Sequence, residues 1–78
     1  ASSIRIGEIF KAAIRKNVAA LIVMHNHPSG DTSASPEDIA MTQEMIKAGE
    51  LLNVEVVDHL IIGGNRFLSM KNSHICFK

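Results

Sequence analysis

The most informative stretch of this sequence is a short apolar run that is followed directly by two histidines. Residues 18–24 read VAALIVM, and residues 25–30 read HNHPSG. The run does not alternate between polar and apolar residues and is too short for a typical helix, so it predicts a strand that is buried on both faces. The residues from His25 to Ser35 are mostly polar or turn-forming and predict a loop. The sequence therefore places a histidine pair where a buried strand gives way to a loop.

Helices and further strands are predicted on both sides of this strand. Apolar residues at helical spacing indicate two helices, and Ser35-Pro36 is a typical start for the second. A β-branched stretch followed by a glycine turn indicates a hairpin. Residues 71–78 are either a short edge strand or an irregular tail. The order α-β-α-β-β favours an α/β fold with a mixed sheet flanked by helices. The predicted elements are helices over residues 5–16 and 36–52, strands Val18–Met24, Val54–Ile62 and Arg66–Met70, and a turn at Gly63–Asn65.

Length and composition exclude several classes of protein. With 78 residues and 46% hydrophobic residues, the chain is one small domain with a thin core. We interpret residues 1–78 as a single, truncated domain, because the chain begins at Ala1 without methionine. No apolar run approaches the roughly 18 residues that a membrane span requires. The single cysteine, Cys76, excludes an internal disulfide, so a cytoplasmic location is expected.

His25, His27 and Asp38 form a candidate metal site. Residues two apart in an extended chain project to the same side, so His25 and His27 can direct their rings to one point. The loop that follows can return Asp38, in the first turn of the next helix, to that point. Two histidines and one carboxylate leave a coordination position open, which is typical of a catalytic rather than a structural zinc.

Simpler interpretations of the same residues stay open. The two histidines can be polar loop residues without a metal. Ser35 and Asp38 have the spacing of a capping box, in which each side chain bonds the backbone N–H of the other residue. For Ser35 the two roles are compatible, because a hydroxyl can accept one hydrogen bond and donate another.

The final strands contain a second histidine of interest. Alternation along Val54–Ile62 predicts that Val56 and Asp58 share one face and that His59 lies on the other. His59 is therefore expected to be a structural histidine with satisfied hydrogen bonds rather than a third imidazole ligand. Cys76 has no basic neighbour in sequence and is interpreted as a small apolar residue, not a nucleophile.

The candidate metal site also carries a family resemblance. His25-x-His27-Pro28, followed by Ser35-x-x-Asp38, resembles the JAMM (MPN+) metalloprotease motif. Four longer stretches resemble the bacterial RadC family, a JAMM-like branch often labelled DNA repair, and the resemblance covers nearly the whole chain. These stretches are His25–Asp31, Ser35–Ile39, Ala48–Leu52 and Asp58–Gly63.

The resemblance implies a fold and a set of site residues. It implies a cytidine deaminase-like JAMM architecture with further N-terminal strands, zinc ligation by His25, His27 and Asp38, and an oxyanion-stabilising role for Ser35. It also implies a general-base glutamate on an earlier element, which is expected outside this chain. Glu8 is the only acidic residue before His25, but the family places its helix after that element, so Glu8 is disfavoured as the base.

The sequence leads to three hypotheses of different functional classes. The first is a zinc-dependent hydrolase of JAMM type, acting on an amide or isopeptide bond of a peptide substrate. The alternative is a non-catalytic module in DNA repair or replication, although eight Lys+Arg against eight Asp+Glu give no net positive charge for DNA. A third is a metal-free structural domain. No membrane association is expected, and a homo-oligomer through an open sheet edge is a further prediction.

Overall fold

The computed structural model describes residues 5–78 and contains two helices and a three-stranded sheet. This order and the mixed sheet confirm the predicted α/β class. Residues 71–78 form turns rather than a strand. None of the helices in the described part of the chain is long and apolar enough to cross a membrane. The elements are α1 (Ile6–Arg15), β1 (Ala20–Asn26), α2 (Pro36–Leu52), β2 (Glu55–Gly63) and β3 (Arg66–Ser69).

The sheet has the order β1-β2-β3 and combines both kinds of pairing. Strand β1 runs parallel to β2, with α2 as the crossover between them, and β3 returns antiparallel beside β2. The backbone N–H of His27 donates to the carbonyl of Ile62 at 2.7 Å and extends the parallel pairing past the end of β1. The carboxyl ends of β1 and β2 and the beginning of α2 therefore meet at one end of the sheet.

A bulge in β2 changes which residues face the helices. The pairing register with β1 shifts by one residue between Val56 and Asp58, so Val57 has no partner. As a result Val56 and His59 lie on the same face, and both are buried. The face predicted for Val56 from the alternation along Val54–Ile62 is therefore wrong. Strict alternation assumes that every residue of the strand is paired in turn, and the inserted residue Val57 breaks it. Asp58 and His59 do lie on opposite faces.

One face of the sheet is covered and the other is open. The opposite face of β1 presents Ile22 and Met24, which are 54% and 64% exposed. Within residues 5–78, β1 pairs with β2 alone. The prediction that strand Val18–Met24 is buried on both faces is therefore wrong for the described residues. An apolar run indicates a surface that favours being covered, not that the covering element lies in the same segment. The covered face packs against α1 and α2 in a core of Phe10, Ala13, Val23, Met45, Val54 and Val56.

Candidate metal centre

The structure brings His25, His27 and Asp38 together at the carboxyl end of β1. His25 is the penultimate residue of β1, His27 follows the strand, and Asp38 lies in the first turn of α2. Nδ1 of His25 is 2.9 Å from Oδ1 of Asp38, and Nε2 of His27 is 3.1 Å from Oδ2. One ligand atom from each residue lies within 4.8 Å of the others. This is the clustering that the spacing of the two histidines and Asp38 predicted.

The hydrogen bonds of His27 leave one nitrogen free for a cation. Nδ1 lies 2.8 Å from the carbonyl oxygen of Asp31, and a carbonyl only accepts, so Nδ1 carries the proton. In the neutral ring Nε2 then has a lone pair, and it faces a carboxylate oxygen of Asp38 at 3.1 Å. Two acceptors at that distance require a proton or a metal ion between them. The bond from a ring N–H to a backbone carbonyl is also typical of metal-bound histidines.

Asp38 is both a helix cap and a member of the cluster. Its Oδ2 accepts from the backbone N–H of Ser35 at 2.8 Å, and its own N–H donates to Oγ of Ser35 at 3.1 Å. The capping box and the metal-site interpretation are therefore compatible. Burial raises the pKa of the Asp38 carboxyl, but hydrogen bonds from Ser35, together with the positive charges that His25 and His27 carry when their rings are protonated, outweigh burial and lower the pKa below its ordinary value. Asp38, which is 2% exposed, is therefore an anion at neutral pH.

The three side chains offer the types of donor atom that a zinc ion takes, and they lie close enough together to converge on one ion. Two imidazole nitrogens and one carboxylate oxygen form a donor set that zinc accepts in catalytic sites. Ligand atoms around a tetrahedral zinc are about 3.3 Å apart when each is about 2.0–2.1 Å from the metal. The distance of 2.9 Å joins Nδ1 of His25 to Oδ1 of Asp38, and that of 3.1 Å joins Nε2 of His27 to Oδ2, so the two histidines face different oxygens of the carboxylate. When each residue contributes a single ligand atom, the three atoms lie within 4.8 Å of one another. Small displacements of the side chains would accommodate the ion.

Comparison with known proteins identifies the family of this chain. A family profile described as RadC-like JAB domain matches residues 1–75. The chain belongs to the RadC-like JAB domain family. This confirms the resemblance found in the histidine motif and in the longer stretches around it. The His25, His27 and Asp38 cluster is compatible with the metal site of JAMM-type members.

Several relatives of this RadC-like domain are UPF0758 proteins. The UPF0758 protein of Roseiflexus castenholzii is 58% identical over 77 residues, which is 99% of this chain and 33% of the relative. That of Chloroflexus aggregans is 53% identical over 77 residues, or 99% of this chain and 34% of the relative. That of Desulforudis audaxviator is 54% identical over 70 residues, or 90% and 30%. The chain thus spans about a third of the length of these relatives.

Ser35 lies beside the cluster, at the N-cap of α2. Its hydroxyl oxygen accepts from the N–H of Asp38, and its backbone N–H donates to the carboxylate of the same residue. The capping role suggested by the sequence is therefore present. A hydroxyl that accepts one bond keeps its proton for another acceptor, so a role for Ser35 toward a substrate stays a prediction.

Two other chemical groups of this RadC-like domain lie outside the cluster. Glu8 is exposed on α1 and lies 3.9 Å from Nζ of Lys11, one turn along the helix. The group of candidate ligands among residues 5–78 does not include it. Burial raises the pKa of the Cys76 thiol, whose Sγ lies 3.5 Å from the carbonyl oxygen of Ile39. A raised pKa disfavours the reactive thiolate.

His59 is the residue near the cluster that the sequence did not associate with it. Its ring centre lies 6.2 Å from that of His25, and the side chain is 0% exposed. Nδ1 lies 2.6 Å from the hydroxyl of Thr42, as expected of a structural histidine, but Nε2 is buried without a hydrogen-bond partner. Burial lowers the pKa of His59, and the opposing charges of Asp38 and Asp58 do not cancel that shift. A prediction that strands Val18–Met24 and Val54–Ile62 pair in parallel could have placed His59 near His25.

Proposed function

We propose that this domain is the metal-binding part of a zinc-dependent hydrolase of JAMM type, which cleaves an amide or isopeptide bond. The observation that supports this most is the contact between Nε2 of His27 and Asp38. The proton on Nδ1 of His27 is held by Asp31, so the facing nitrogen and oxygen are two acceptors directed at one point. A bound cation satisfies both acceptors at once.

In this proposal each residue has a stated task. His25 and His27 supply neutral nitrogen ligands, and Asp38 supplies a charged oxygen ligand that the cap of α2 holds in place. When bound, zinc supplies a Lewis acid that polarises a carbonyl group and makes water a nucleophile near neutral pH. The hydroxyl proton of Ser35 is directed to the oxyanion that forms as the scissile carbonyl is attacked.

The general base is assigned to a part of the protein beyond this chain. Among residues 5–78, the candidate ligand group contains one carboxylate, that of Asp38, which the metal would occupy. The relatives are about three times as long as this chain. The family resemblance implies a general-base glutamate on an earlier element, and we place it in the two thirds of the relatives' length that this chain does not span. It follows that residues 1–78 should bind zinc without hydrolysing peptides.

A role as a DNA-binding module has less support. The formal net charge is zero, and the sequence contains three phenylalanines but no tryptophan or tyrosine. Binding to phosphates relies on positive charge, and binding to single strands relies on aromatic platforms. Neither requirement is met by the composition of this chain.

Metal analysis tests the proposal directly. Protein purified without chelator and dialysed against zinc should retain one zinc per chain, measured by elemental analysis. The variant His27→Ala should lose it, whereas His74→Ala, which removes an exposed histidine outside the cluster, should keep it. A wild-type chain without bound metal, or unchanged zinc content in His27→Ala, would contradict the metal centre.

An activity measurement tests the hydrolase half of the proposal. The full-length UPF0758 protein of Roseiflexus castenholzii should cleave a peptide or isopeptide substrate, and a chelator should abolish the cleavage. Residues 1–78 alone should show no cleavage under the same conditions. Chelator-sensitive turnover by residues 1–78 would show that the general base is misplaced.

A further inference from the structure

We propose that His59 is a positioning residue of this metal centre: its Nε2 accepts a hydrogen bond from the ring N–H of ligating His25. The hydrogen bond belongs to a buried chain that continues through Thr42 to the backbone of Asp38. The inference rests on the proposed function, because it assigns a partner to one of the proposed ligands. It gives the unpartnered nitrogen of His59 a role in metal binding.

The sheet places the two histidines side by side. His25 pairs with Ile61 across the parallel strands, and His59 lies two residues before Ile61 on the same face. His25 and His59 are therefore diagonal neighbours beneath α2, a distance at which long side chains interact. Their ring planes are tilted by 31°.

The hydrogen bonds of Thr42 determine which nitrogen of His59 carries the proton. The hydroxyl of Thr42 lies 2.6 Å from the carbonyl oxygen of Asp38 and 2.6 Å from Nδ1 of His59. It has one proton, and the carbonyl only accepts, so that proton goes to Asp38 and Nδ1 of His59 is the donor. The sulfur of Met70, at 3.6 Å, is a weaker acceptor than the carbonyl.

The lone pair of His59 is consequently on Nε2. The opposite tautomer would bury an N–H donor without an acceptor, and orphaned buried N–H groups are rarer than orphaned acceptors. Among residues 5–78, Nε2 of His59 is the only buried side-chain nitrogen or oxygen without a partner. Such an atom normally has a specific reason to be there.

His25 is the residue that needs this acceptor. A histidine that binds a metal almost always donates its other ring N–H to a carboxylate, a carbonyl or water. His27 already donates to the carbonyl of Asp31, whereas the one side-chain hydrogen bond of His25 joins it to Asp38. A metal ion held by both His25 and Asp38 replaces that bond at Nδ1 of His25. The other ring nitrogen, Nε2, then carries the proton and needs an acceptor.

The displacement of the His25 ring that this hydrogen bond requires is small. A hydrogen bond of about 2.9 Å between two imidazole rings brings their centres to about 5 Å. The centres of His25 and His59 are 6.2 Å apart. A shift of about 1 Å, within the freedom of a half-buried side chain at the end of a strand, therefore forms the bond.

The completed chain connects two ligands through buried atoms. It runs from the N–H of His25 to Nε2 of His59, from Nδ1–H of His59 to the hydroxyl of Thr42, and from that hydroxyl to the carbonyl of Asp38. Every donor in this chain has one acceptor. Such a chain restricts the rotation of the His25 ring and thereby favours the geometry that binds the metal.

Zinc affinity of variants tests the inference. His59→Leu replaces the acceptor with an apolar side chain of similar size, whereas His59→Gln keeps an acceptor. Affinity is measured by competition with a chromophoric chelator, and the melting temperature of the metal-free protein is recorded for each variant. We expect His59→Leu to weaken zinc binding about 10–100-fold, the range for loss of such a partner, and His59→Gln to retain much of the affinity.

A control separates positioning from general stability. Val56→Ala removes buried volume from the same strand and face without changing a polar group. It should lower the melting temperature and leave zinc affinity unchanged. Wild-type affinity in His59→Leu, or an equal loss of affinity in Val56→Ala, would overturn the role of His59.

Nitrogen NMR of the imidazole rings gives a readout that does not depend on the variants. In the metal-free protein His59 should be the Nδ1–H tautomer, and zinc should produce a coupling between nitrogens of His25 and His59 across the new hydrogen bond. An Nε2–H tautomer in both states would overturn the inference alone. A wild-type chain that binds no zinc would instead overturn the proposed metal centre, and the inference with it.

Discussion

A Cβ atom added to Gly63 would lie 2.6 Å from the carbonyl oxygen of Gly30. Gly63 is the last residue of β2, and Gly30 belongs to the loop that follows His27. The close approach of these two backbones seats the loop on the end of the sheet. The same contact region includes the hydrogen bond from the N–H of His27 to the carbonyl of Ile62.

Replacement of Gly63 should therefore disturb the proposed metal site from a distance. Gly63→Ala forces the loop away from β2, because Gly30 contributes backbone rather than a flexible side chain at the contact. We expect a loss of about 1–3 kcal/mol in the free energy of unfolding and a weaker zinc affinity. Gly7→Ala is the control, since a Cβ there meets nothing within 4 Å. Urea unfolding and chelator competition measure both effects, and an unchanged zinc affinity in Gly63→Ala would contradict the prediction.

Asp38→Asn should weaken metal binding more than it weakens the fold. The amide oxygen of asparagine can still accept from the N–H of Ser35, so the cap is partly kept. Loss of a charge near a helix N-terminus costs about 0.3–1 kcal/mol. A neutral amide, in contrast, is a poor replacement for a carboxylate ligand to zinc.

The measurement pairs the melting temperature of metal-free Asp38→Asn with its zinc affinity. A small change in melting temperature together with a large loss of affinity is expected. Wild-type zinc affinity in this variant would show that Asp38 serves the capping box alone.

Acid should destabilise the metal-free protein in a range set by His59. Because burial depresses the pKa of His59 in the folded state, the unfolded chain binds a proton more readily than the folded chain. The stability that this difference provides is present above the ordinary pKa, about 6.5, and is lost as the pH falls from there through the folded pKa. The groups whose charges act on His59 are Asp38, His25, Asp58 and His27.

Urea unfolding between pH 8 and pH 5 in the presence of a chelator tests this. His59→Gln should show a smaller decline in unfolding free energy than the wild type below about pH 6.5. His74→Gln, which removes an exposed histidine, should decline like the wild type. Parallel curves for the wild type and His59→Gln would contradict the depressed pKa.

A carboxylate also contributes at lower pH. Hydrogen bonds from Ser69, Lys71 and His59 and the charge of Lys71 outweigh burial, which acts in the opposite direction, and hold the pKa of Asp58 below 3.8. The stability that Asp58 contributes is present above that value and is lost as the pH falls through the lower pKa of the folded state. Asp58→Asn should therefore be less stable than the wild type at pH 7, and the difference should shrink as the pH falls below 3.8. A difference that persists unchanged at low pH would contradict this assignment.

Residues 1–78 should self-associate through the open side of the sheet. We propose this from the edge of β1 that has no partner strand among residues 5–78 and from the exposed side chains of Ile22 and Met24. Sedimentation velocity should show a concentration-dependent dimer or larger species. Met24→Lys should shift the chain toward the monomer, whereas Leu51→Lys, which alters an exposed leucine on α2, should not. A wild-type monomer at all concentrations would contradict the prediction.

Local signals in the sequence determined the helices and the position of the histidine motif. The second helix occupies Pro36–Leu52, the predicted range, because Ser35 caps its first turn and Asn53 adopts the left-handed conformation, with φ of 58°, at its end. These signals act through backbone hydrogen bonds within a few residues, so the sequence is sufficient to read them. The two-residue spacing of His25 and His27, and the family resemblance, were legible for the same reason.

The tertiary structure alone decided how distant segments meet. Because of the bulge at Val57, Val56 lies on the same face of β2 as His59, whereas the sequence predicted opposite faces for these two residues. The register of β1 against β2 brought His59 beside His25. Burial depended likewise on partners, since the apolar residues Ile22 and Met24 are exposed. Strand register and coverage come from contacts between residues far apart in the chain, and a pattern along one strand contains no information about the surface opposite it.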